Sequence, residues 1–457
     1  FLWLAHSASV VGSKIVIVAL ALFVIGLTGS ATDLGLVLAA YALSLVTFLL
    51  IGGVWADRLP RHRLMMATDL ARFSLHALLA VLIFAGSVRI WELVAIEALY
   101  GGAEAFSRPA ANGLLPQTVP EADIQQATAI TGMSSNVSEF LGPALATALV
   151  LGAGAGWAFA LDAVTFLASA ALLSRVRPRA RELPIAAAPT AASAATAPLA
   201  PLAPIAATVP TAAPVSAATV SAAAVSSVRP SAAGRNGLWK GIRAGSREVR
   251  SRTWVWATLM SFCVALFCGL APWFVLGPLV ARQQYGHVSV YGLIEAALGF
   301  GTILGSLAGI LWRPRYPMRL AMLAILLWPA AAILYATGLT LALVLPATVL
   351  AGVGIALFDV WWLTALAERI PPASLSRVSS YDWMLSYGLM PFGYILAGPL
   401  AGALGPVEVM IGGSALACVA FALGLAPRET RMLERLHRDG RGIVRGEEPL
   451  RGLAHRS

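Results

Sequence analysis

Charge is scarce in this 457-residue chain: 12% of its residues are Asp, Glu, Lys or Arg, against about 25% in an ordinary soluble domain. That excludes a soluble enzyme of this length, whose surface needs far more charge to stay in water. Cysteine is nearly absent as well. Cys263, Cys268 and Cys418 all lie in apolar runs, and offer neither a zinc spacing nor a disulfide framework. The histidines at 6, 62, 76, 287, 437 and 455 are scattered, and none makes a metal or catalytic spacing with a neighbour. A phosphate-binding loop of the G-x-x-x-x-G-K-[ST] kind is missing too, which argues against ATP as a direct energy source. No cofactor is predicted.

What the chain has in excess is apolar surface. Hydrophobic residues make up 58% of it and the mean hydropathy is +0.79, so apolar residues form most of the chain and not one buried core. A spanning helix needs about 20 such residues. Apolar runs bounded by charge, Gly or Pro predict helices at about 1–27, 34–56, 64–86, 91–113, 127–150 and 156–175, then at about 254–280, 290–312, 318–339, 341–366, 380–404 and 407–426. The expected fold is an all-α integral membrane protein with twelve transmembrane helices, six plus six. Phe1 already belongs to an apolar run, which predicts a short native segment before it, and no cleavable signal peptide is visible.

Residues 183–234 are built of Ala, Pro, Ser, Thr and Val. Prolines at 184, 189, 198, 201, 204, 210, 214 and 230 break any helix long enough to span, and the segment lacks the large side chains that offset ordering entropy. It reads as a disordered, partly polyproline-like tether. The stretch from Leu238 to Arg252 that follows reads as a basic amphipathic segment on the membrane surface. The predicted domains are therefore 1–175, a six-helix bundle; 176–253, tether and basic stretch; 254–427, a second six-helix bundle; and 428–457, a basic tail.

The formal net charge of +10 acquires its meaning from where the arginines lie. Positions 58, 61, 63, then 175 to 252, 313, 315, 319, 369, 377 and 428 to 456 all fall on one side of the expected membrane, whereas the other side has little more than Arg89 and Arg282. This is the positive-inside asymmetry of a membrane protein and not a nucleic-acid footprint. It places both termini and the tether in the cytoplasm of a multi-pass plasma-membrane protein.

The second half repeats the first. Gly35, Leu36, Ala39, Ala40, Gly52, Trp55, Arg58 and Pro60 return 257 residues later as Gly292, Leu293, Ala296, Ala297, Gly309, Trp312, Arg315 and Pro317. Leu99, Gly101, Ala105, Pro120, Met133 and Gly142 return 251 residues later as Leu350, Gly352, Ala356, Pro371, Met384 and Gly393. Two homologous six-helix halves are the architecture of transporters that rock about a midplane site.

The loop after helix 2, residues 53–63 (GVWADRLPRHR), resembles the G-x-x-x-D-R-x-G-R-K signature of the major facilitator superfamily. Pro60 stands where that pattern has Gly, and His62 where it has a basic residue. Residues 106–110 (FSRPA), 115–120 (LPQTVP), 141–144 (LGPA) and 377–382 (RVSSYD) are similar to the enterobactin-exporter-like and macrolide-efflux-like branch. Over about 1–175 and 236–427, the resemblance implies the major facilitator fold and membrane transport of a small organic compound, with export as the direction. It also implies that Gly53, Asp57, Arg58, Arg61 and Arg63 form a conformational latch that holds the outward-open state. Gly142-Pro143 resembles part of the superfamily's antiporter signature, with Ser138, Ala146 and Thr147 standing where that pattern has glycines.

Ionisable groups at membrane depth each cost at least about 2.5–3.5 kcal/mol on insertion scales and need a partner or a wet cavity. Lys14 in helix 1, Glu104 in helix 4 and Glu139 in helix 5 lie near mid-depth. Glu104 and Arg108 are four apart and within ion-pair reach, and Glu97 is two turns from Glu104 on the same face. Glu104 or Glu139 is the expected proton carrier, with Lys14 or Arg108 as the competing cation; the alternative is a set of fixed ion pairs stitching the helices together. Glu97, near the outer half, is expected to face external water. Asp69 and Arg72 share a face and are expected to pair, and Asp162 is expected to bond to nearby backbone or hydroxyls. Trp273, Phe274, Asp359, Trp361 and Trp362 fall on helices 7 and 10, which the resemblance implies line the path, and suit a bulky amphipathic or cationic substrate, with interfacial anchoring the alternative for Trp361 and Trp362.

These readings converge on a non-enzymatic, monomeric secondary transporter whose partners are protons, a small-molecule substrate and the bilayer, with no nucleic acid. The expected activity is proton-coupled export of a small hydrophobic or amphipathic drug, siderophore or metabolite. An importer or facilitator without proton coupling is the alternative, and a multi-pass membrane enzyme the more distant one.

Overall fold

The computed structural model describes residues 1–120, 123–176, 246–247, 249–434, 437–438 and 444–445, and within the helices it leaves out a few side chains, among them those of Asp57 and Arg58. The Ala/Pro-rich tether, the start of the basic stretch and most of the tail lie outside the described residues. Helices fill all the predicted intervals. The first set is α1 (Leu2–Thr28), α2 (Ala31–Arg58), α3 (Arg61–Phe84), α4 (Ile90–Leu114), α5 (Ile124–Gly152) and α6 (Ala155–Leu173). The second comprises α7 (Thr253–Tyr285), α8 (Ser289–Leu311), α9 (Pro317–Ala336), α10 (Leu341–Arg369), α11 in two pieces (Pro372–Tyr387 and Met390–Leu404) and α12 (Pro406–Gly424).

Ten of the described helices are long and apolar enough to cross a membrane. The other two long helices are α4 and α5, of 25 and 29 residues. They are the helices that carry Glu97, Glu104, Arg108 and Glu139, so the polar groups expected at the site sit on the helices least suited to lipid.

Proline explains the breaks in the longer rods, because it removes a backbone donor and crowds the preceding turn. Ahead of Pro272, α7 widens into a π-turn over Leu266–Leu270, with the Ala271 N–H reaching the Leu266 carbonyl. Close by Pro329, α9 slackens at Leu326, and α11 is interrupted at Gly388 and Leu389 just before Pro391.

The tight connections between odd and even helices all turn on a glycine of positive φ: Gly29, Gly86, Gly154, Gly286, Gly338 and Gly405. A side chain is strained there, so glycine is the residue that fits. Since successive helices run antiparallel, these turns mark one end of the bundle. They also obey the repeat: Gly29 and Gly286 are 257 residues apart, Gly154 and Gly405 251. Packing follows the same register. Gly101 of α4 lies against the Tyr41 carbonyl of α2, and its counterpart Gly352 of α10 lies against the Leu298 carbonyl of α8; Gly142 of α5 packs on Lys14 of α1, and Gly393 of α11 on Ala271 of α7.

The close approaches between the two sets gather toward the glycine-turn end. There Gly35 and Thr32 of α2 meet Tyr394 and Gly398 of α11, while Thr147, Glu139 and Phe140 of α5 meet Gly292 and Gly299 of α8. Toward this end Ala31, Ala39, Val275, Leu276, Tyr394 and Ala397 belong to one buried apolar cluster.

Candidate functional site

Three successive residues of α1 organise the centre of the first set. Gly12 has no side chain, which lets α1 approach Asp162 and Thr165 of α6. The Ser13 hydroxyl donates to the Ser9 carbonyl at 3.0 Å and lies 3.2 Å from the Tyr100 hydroxyl of α4. Lys14 forms an ion pair with Glu139 of α5, the two side chains being 29% and 45% exposed. Adjacent side chains on a helix diverge by about 100°, so Gly12 and Lys14 face opposite ways. The pair lies halfway along its helices and is partly open, and charges at that depth need a partner or a wet cavity.

Glu104 is the hub of a second polar group. Its Oε2 accepts from the Tyr41 hydroxyl at 2.8 Å, and its Oε1 accepts from Arg108 Nε at 2.8 Å and Nη2 at 2.7 Å. Arg108 is the more open partner, at 46%. From the second set, Glu295 of α8 accepts from Trp273 Nε1 at 2.6 Å and lies in the electrostatic field of Lys14 and Glu139. Asp359 of α10 is exposed although it is well inside its helix. Asp382 of α11 accepts from Trp362 Nε1 at 3.1 Å. Tyr387 is exposed, and its hydroxyl lies within electrostatic reach of Asp359 and Asp382 of the second set and of Arg108 and Glu139 of the first. In the repeat register Asp359 is the counterpart of Arg108, 251 residues earlier: pseudo-symmetric positions carry opposite charges.

Tertiary packing revises several expectations. Glu97 does not face external water; it is 3% exposed, with its carboxylate 3.6 Å from His76 Nε2. Asp162 bonds to a side chain, His76 Nδ1 at 2.5 Å, so His76 is not an isolated histidine. Sequence spacing could not find this group because its members come from α3, α4 and α6. Asp69 and Arg72 do pair, at 2.5 Å. Trp361 and Trp362 are buried within the second set and do not sit as interfacial anchors: Trp361 packs edge-on to Trp312, and Trp362 against Trp254 and Phe358. Trp273 is buried between Tyr291 and Tyr335, while Phe274 is half-buried beside it.

In the loop after α2, Arg61 Nη1 donates to the Gly113 carbonyl at the end of α4 at 2.6 Å, and Arg63 is exposed. The side chains of Asp57 and Arg58, with Gly53, lie outside the described residues. The start of the tail is docked: Glu434 accepts from Arg315 Nη2 at 2.9 Å and from the Tyr316 hydroxyl at 3.2 Å, and its carbonyl accepts from Arg369. Among the described residues no group of three or more His, Cys, Asp or Glu could hold a metal ion.

Two sets of helices in repeat register, with charged groups on the helices of both, are an arrangement found among membrane transporters. The chain matches the Major Facilitator Superfamily over residues 2–391 and belongs to that superfamily of transporters. It is 29% identical over 147 residues to the uncharacterized MFS-type transporter YfiS of Bacillus subtilis (strain 168), covering 32% of this chain and 34% of that one. It is 25% identical over 151 residues to macrolide efflux protein A of Streptococcus pyogenes, covering 32% and 36%. The chain thus spans about a third of the length of the curated relatives it matches. Among solved structures it resembles the nucleoside transporter NupG (TM-score 0.65, 11% identity, 93% of this chain and 98% of that one). It likewise resembles a bacterial homologue of the human lysosomal transporter Spinster in an inward-facing, unoccupied conformation (TM-score 0.64, 15% identity, 96% and 98%). At these identities the likeness is one of fold.

Proposed function

We propose that this transporter is a proton-coupled exporter of a small hydrophobic or amphipathic compound, working by alternating access in the plasma membrane with both termini in the cytoplasm. The observation that carries the reading is the Lys14–Glu139 pair: a cation of α1 and an acid of α5 joined halfway along their helices yet partly exposed. Such a pair can exchange its partner for a proton on one side of the membrane and re-form on the other. Glu104, shared between Tyr41 and Arg108, is the second carrier candidate, and Lys14 and Arg108 are the competing cations. Glu97 enters the proton path only through its contact with His76.

Substrate contact falls on Asp359, on Phe274 and on the Tyr387 ring, whose openness suits an amphipathic molecule with a basic group. Trp273, Trp361 and Trp362 contact substrate only in a conformation that uncovers them. The packing of the two sets at the glycine-turn end, taken with the charge asymmetry of the sequence, supports a cavity that opens to the cytoplasm. In that state the latch of Gly53, Asp57, Arg58, Arg61 and Arg63 is released, and it re-forms when the opposite end opens. The protein acts as a monomer.

The similarity to a macrolide efflux protein makes a macrolide the first probe. In proteoliposomes, an imposed pH gradient drives macrolide movement in the wild type, dissipating the gradient stops it, and Glu139→Gln abolishes the gradient-driven part. Equal movement with and without a gradient, in wild type and variant alike, indicates a facilitator instead.

A further inference from the structure

Five ionisable side chains are buried together among α3, α4 and α6, and α6 reaches α1 at Gly12. Asp69, Arg72 and His76 come from α3, Glu97 from α4 and Asp162 from α6, and none is more than 5% exposed. His76 is held between the two acids of the other helices, with Nδ1 2.5 Å from Asp162 Oδ2 and Nε2 3.6 Å from Glu97 Oε1. Its ring stacks on Tyr100 at 4.3 Å between centroids. Arg72 Nη2 donates to Asp69 Oδ1 and, at 2.9 Å, to Ser107, and the Ser169 hydroxyl caps the other Asp69 oxygen at 2.6 Å. Both Asp69 oxygens are therefore satisfied, although Arg72 Nε is buried without a partner. The His76 group is not satisfied: His76 Nε2, Glu97 Oε1 and Asp162 Oδ1 are buried with no hydrogen-bond partner.

Counting charge completes the argument. With His76 protonated, two cations face three carboxylates, and buried charge of one sign without compensation is expelled or neutralised by a proton. The groups facing His76 are Asp162 from α6, Glu97 and Tyr100 from α4, and Arg72 with Asp69 from its own helix; α1 contributes Gly12 and Ser13, which are uncharged. One carboxylate of the group therefore takes a proton from a hydronium ion, which is left as water, while the His76 Nε2–H points across the 3.6 Å gap to the Glu97 carboxyl as the donor.

We propose that His76, Glu97 and Asp162 form a proton-binding site inside the first bundle, separate from the central cavity, and that α1 transmits its occupancy to the Lys14–Glu139 pair. The connection is short. Gly12 rests on Asp162, Ser13 is bonded to the Tyr100 hydroxyl whose ring lies on His76, and Lys14 is the next residue. Only the consequence for transport rests on the proton-driven reading given above; the proton site stands without it.

The test uses the full chain in lipid nanodiscs with no substrate. Infrared difference spectra taken between about pH 5 and about pH 8 are expected to contain a protonated-carboxyl band that loses at least about half its amplitude in Glu97→Gln or Asp162→Asn and survives Glu139→Gln. A band untouched by both cluster variants, or one removed by Glu139→Gln alone, overturns the site. Hydrogen exchange of the α1 peptide over residues 9–16, corrected for intrinsic rate, is expected to differ between the two pH values in wild type. In Tyr100→Phe that difference is lost while the infrared band persists. If Tyr100→Phe keeps the pH difference, the α1 connection is wrong. Macrolide transport that ignores the gradient while the band behaves as expected overturns the proposed function and leaves the site intact, so the two failures are distinguishable.

Discussion

Lys14 of α1 and Glu139 of α5 are ion-paired halfway along their helices, and the Lys14 backbone lies directly against Gly142, one turn further along α5. The glycine brings the two helices close enough for the pair to form. Charge and packing are thus tied together at one crossing, and each can be perturbed separately.

Removing one member of the pair leaves the other unpaired at membrane depth. Because both side chains are partly solvated, Lys14→Gln or Glu139→Gln is expected to cost about 1 kcal/mol, between the values for exposed and buried pairs. The double variant is expected to lie closer to wild type than the sum of the two, which a double-mutant cycle from detergent melting curves measures. Additive losses contradict a coupled pair.

The Asp69–Arg72 pair, with both side chains below 10% exposure, is the stricter case. Arg72→Leu is expected to destabilise the protein by about 3–5 kcal/mol, since Asp69 then stays buried without its cation. The readout is loss of folded protein by size-exclusion profile and melting point, with Asp69→Asn/Arg72→Leu recovering part of it.

A side chain at Gly142 meets the α1 backbone. Gly142→Val is expected to cost about 1–3 kcal/mol through overpacking and to suppress transport, as is Gly393→Val at the matching crossing of α11 with α7. Gly412→Ala, which meets nothing, serves as the control and is expected to stay within about 0.5 kcal/mol of wild type. Equal effects at all three positions contradict the packing described.

Thr32 of α2 and Gly398 of α11 are in contact across the two sets near the glycine-turn end. In a background lacking Cys263, Cys268 and Cys418, Thr32→Cys with Gly398→Cys is expected to cross-link readily without substrate, to block macrolide movement, and to restore it on reduction. Failure to cross-link means that the two sets are joined elsewhere in the resting protein.

Much of this protein is legible in its residues. The helix intervals follow from apolar runs, and the breaks in α7, α9 and α11 occur near Pro272, Pro329 and Pro391, where the chain lacks backbone donors. The repeat at shifts of 257 and 251 reappears as matched turns at Gly29 and Gly286 and matched crossings at Gly142 and Gly393. The Glu104–Arg108 and Asp69–Arg72 pairs were readable because partners three or four apart share a helix face. The surroundings of Glu97 and Asp162 were not, since depth along a helix says nothing about which neighbour the side chain meets.

The sequence by itself determined that this is a twofold-repeated helical membrane protein, because hydrophobic length, proline and charge asymmetry act locally and need no partner to be read. Only the tertiary structure decided which scarce charges meet. Lys14 finds Glu139 because Gly142 lets α5 approach α1, and His76 finds Asp162 and Glu97 because α3 packs directly on α6 and α4. Pairing across helices depends on rotation and separation of whole rods, and those are fixed by packing over their full length.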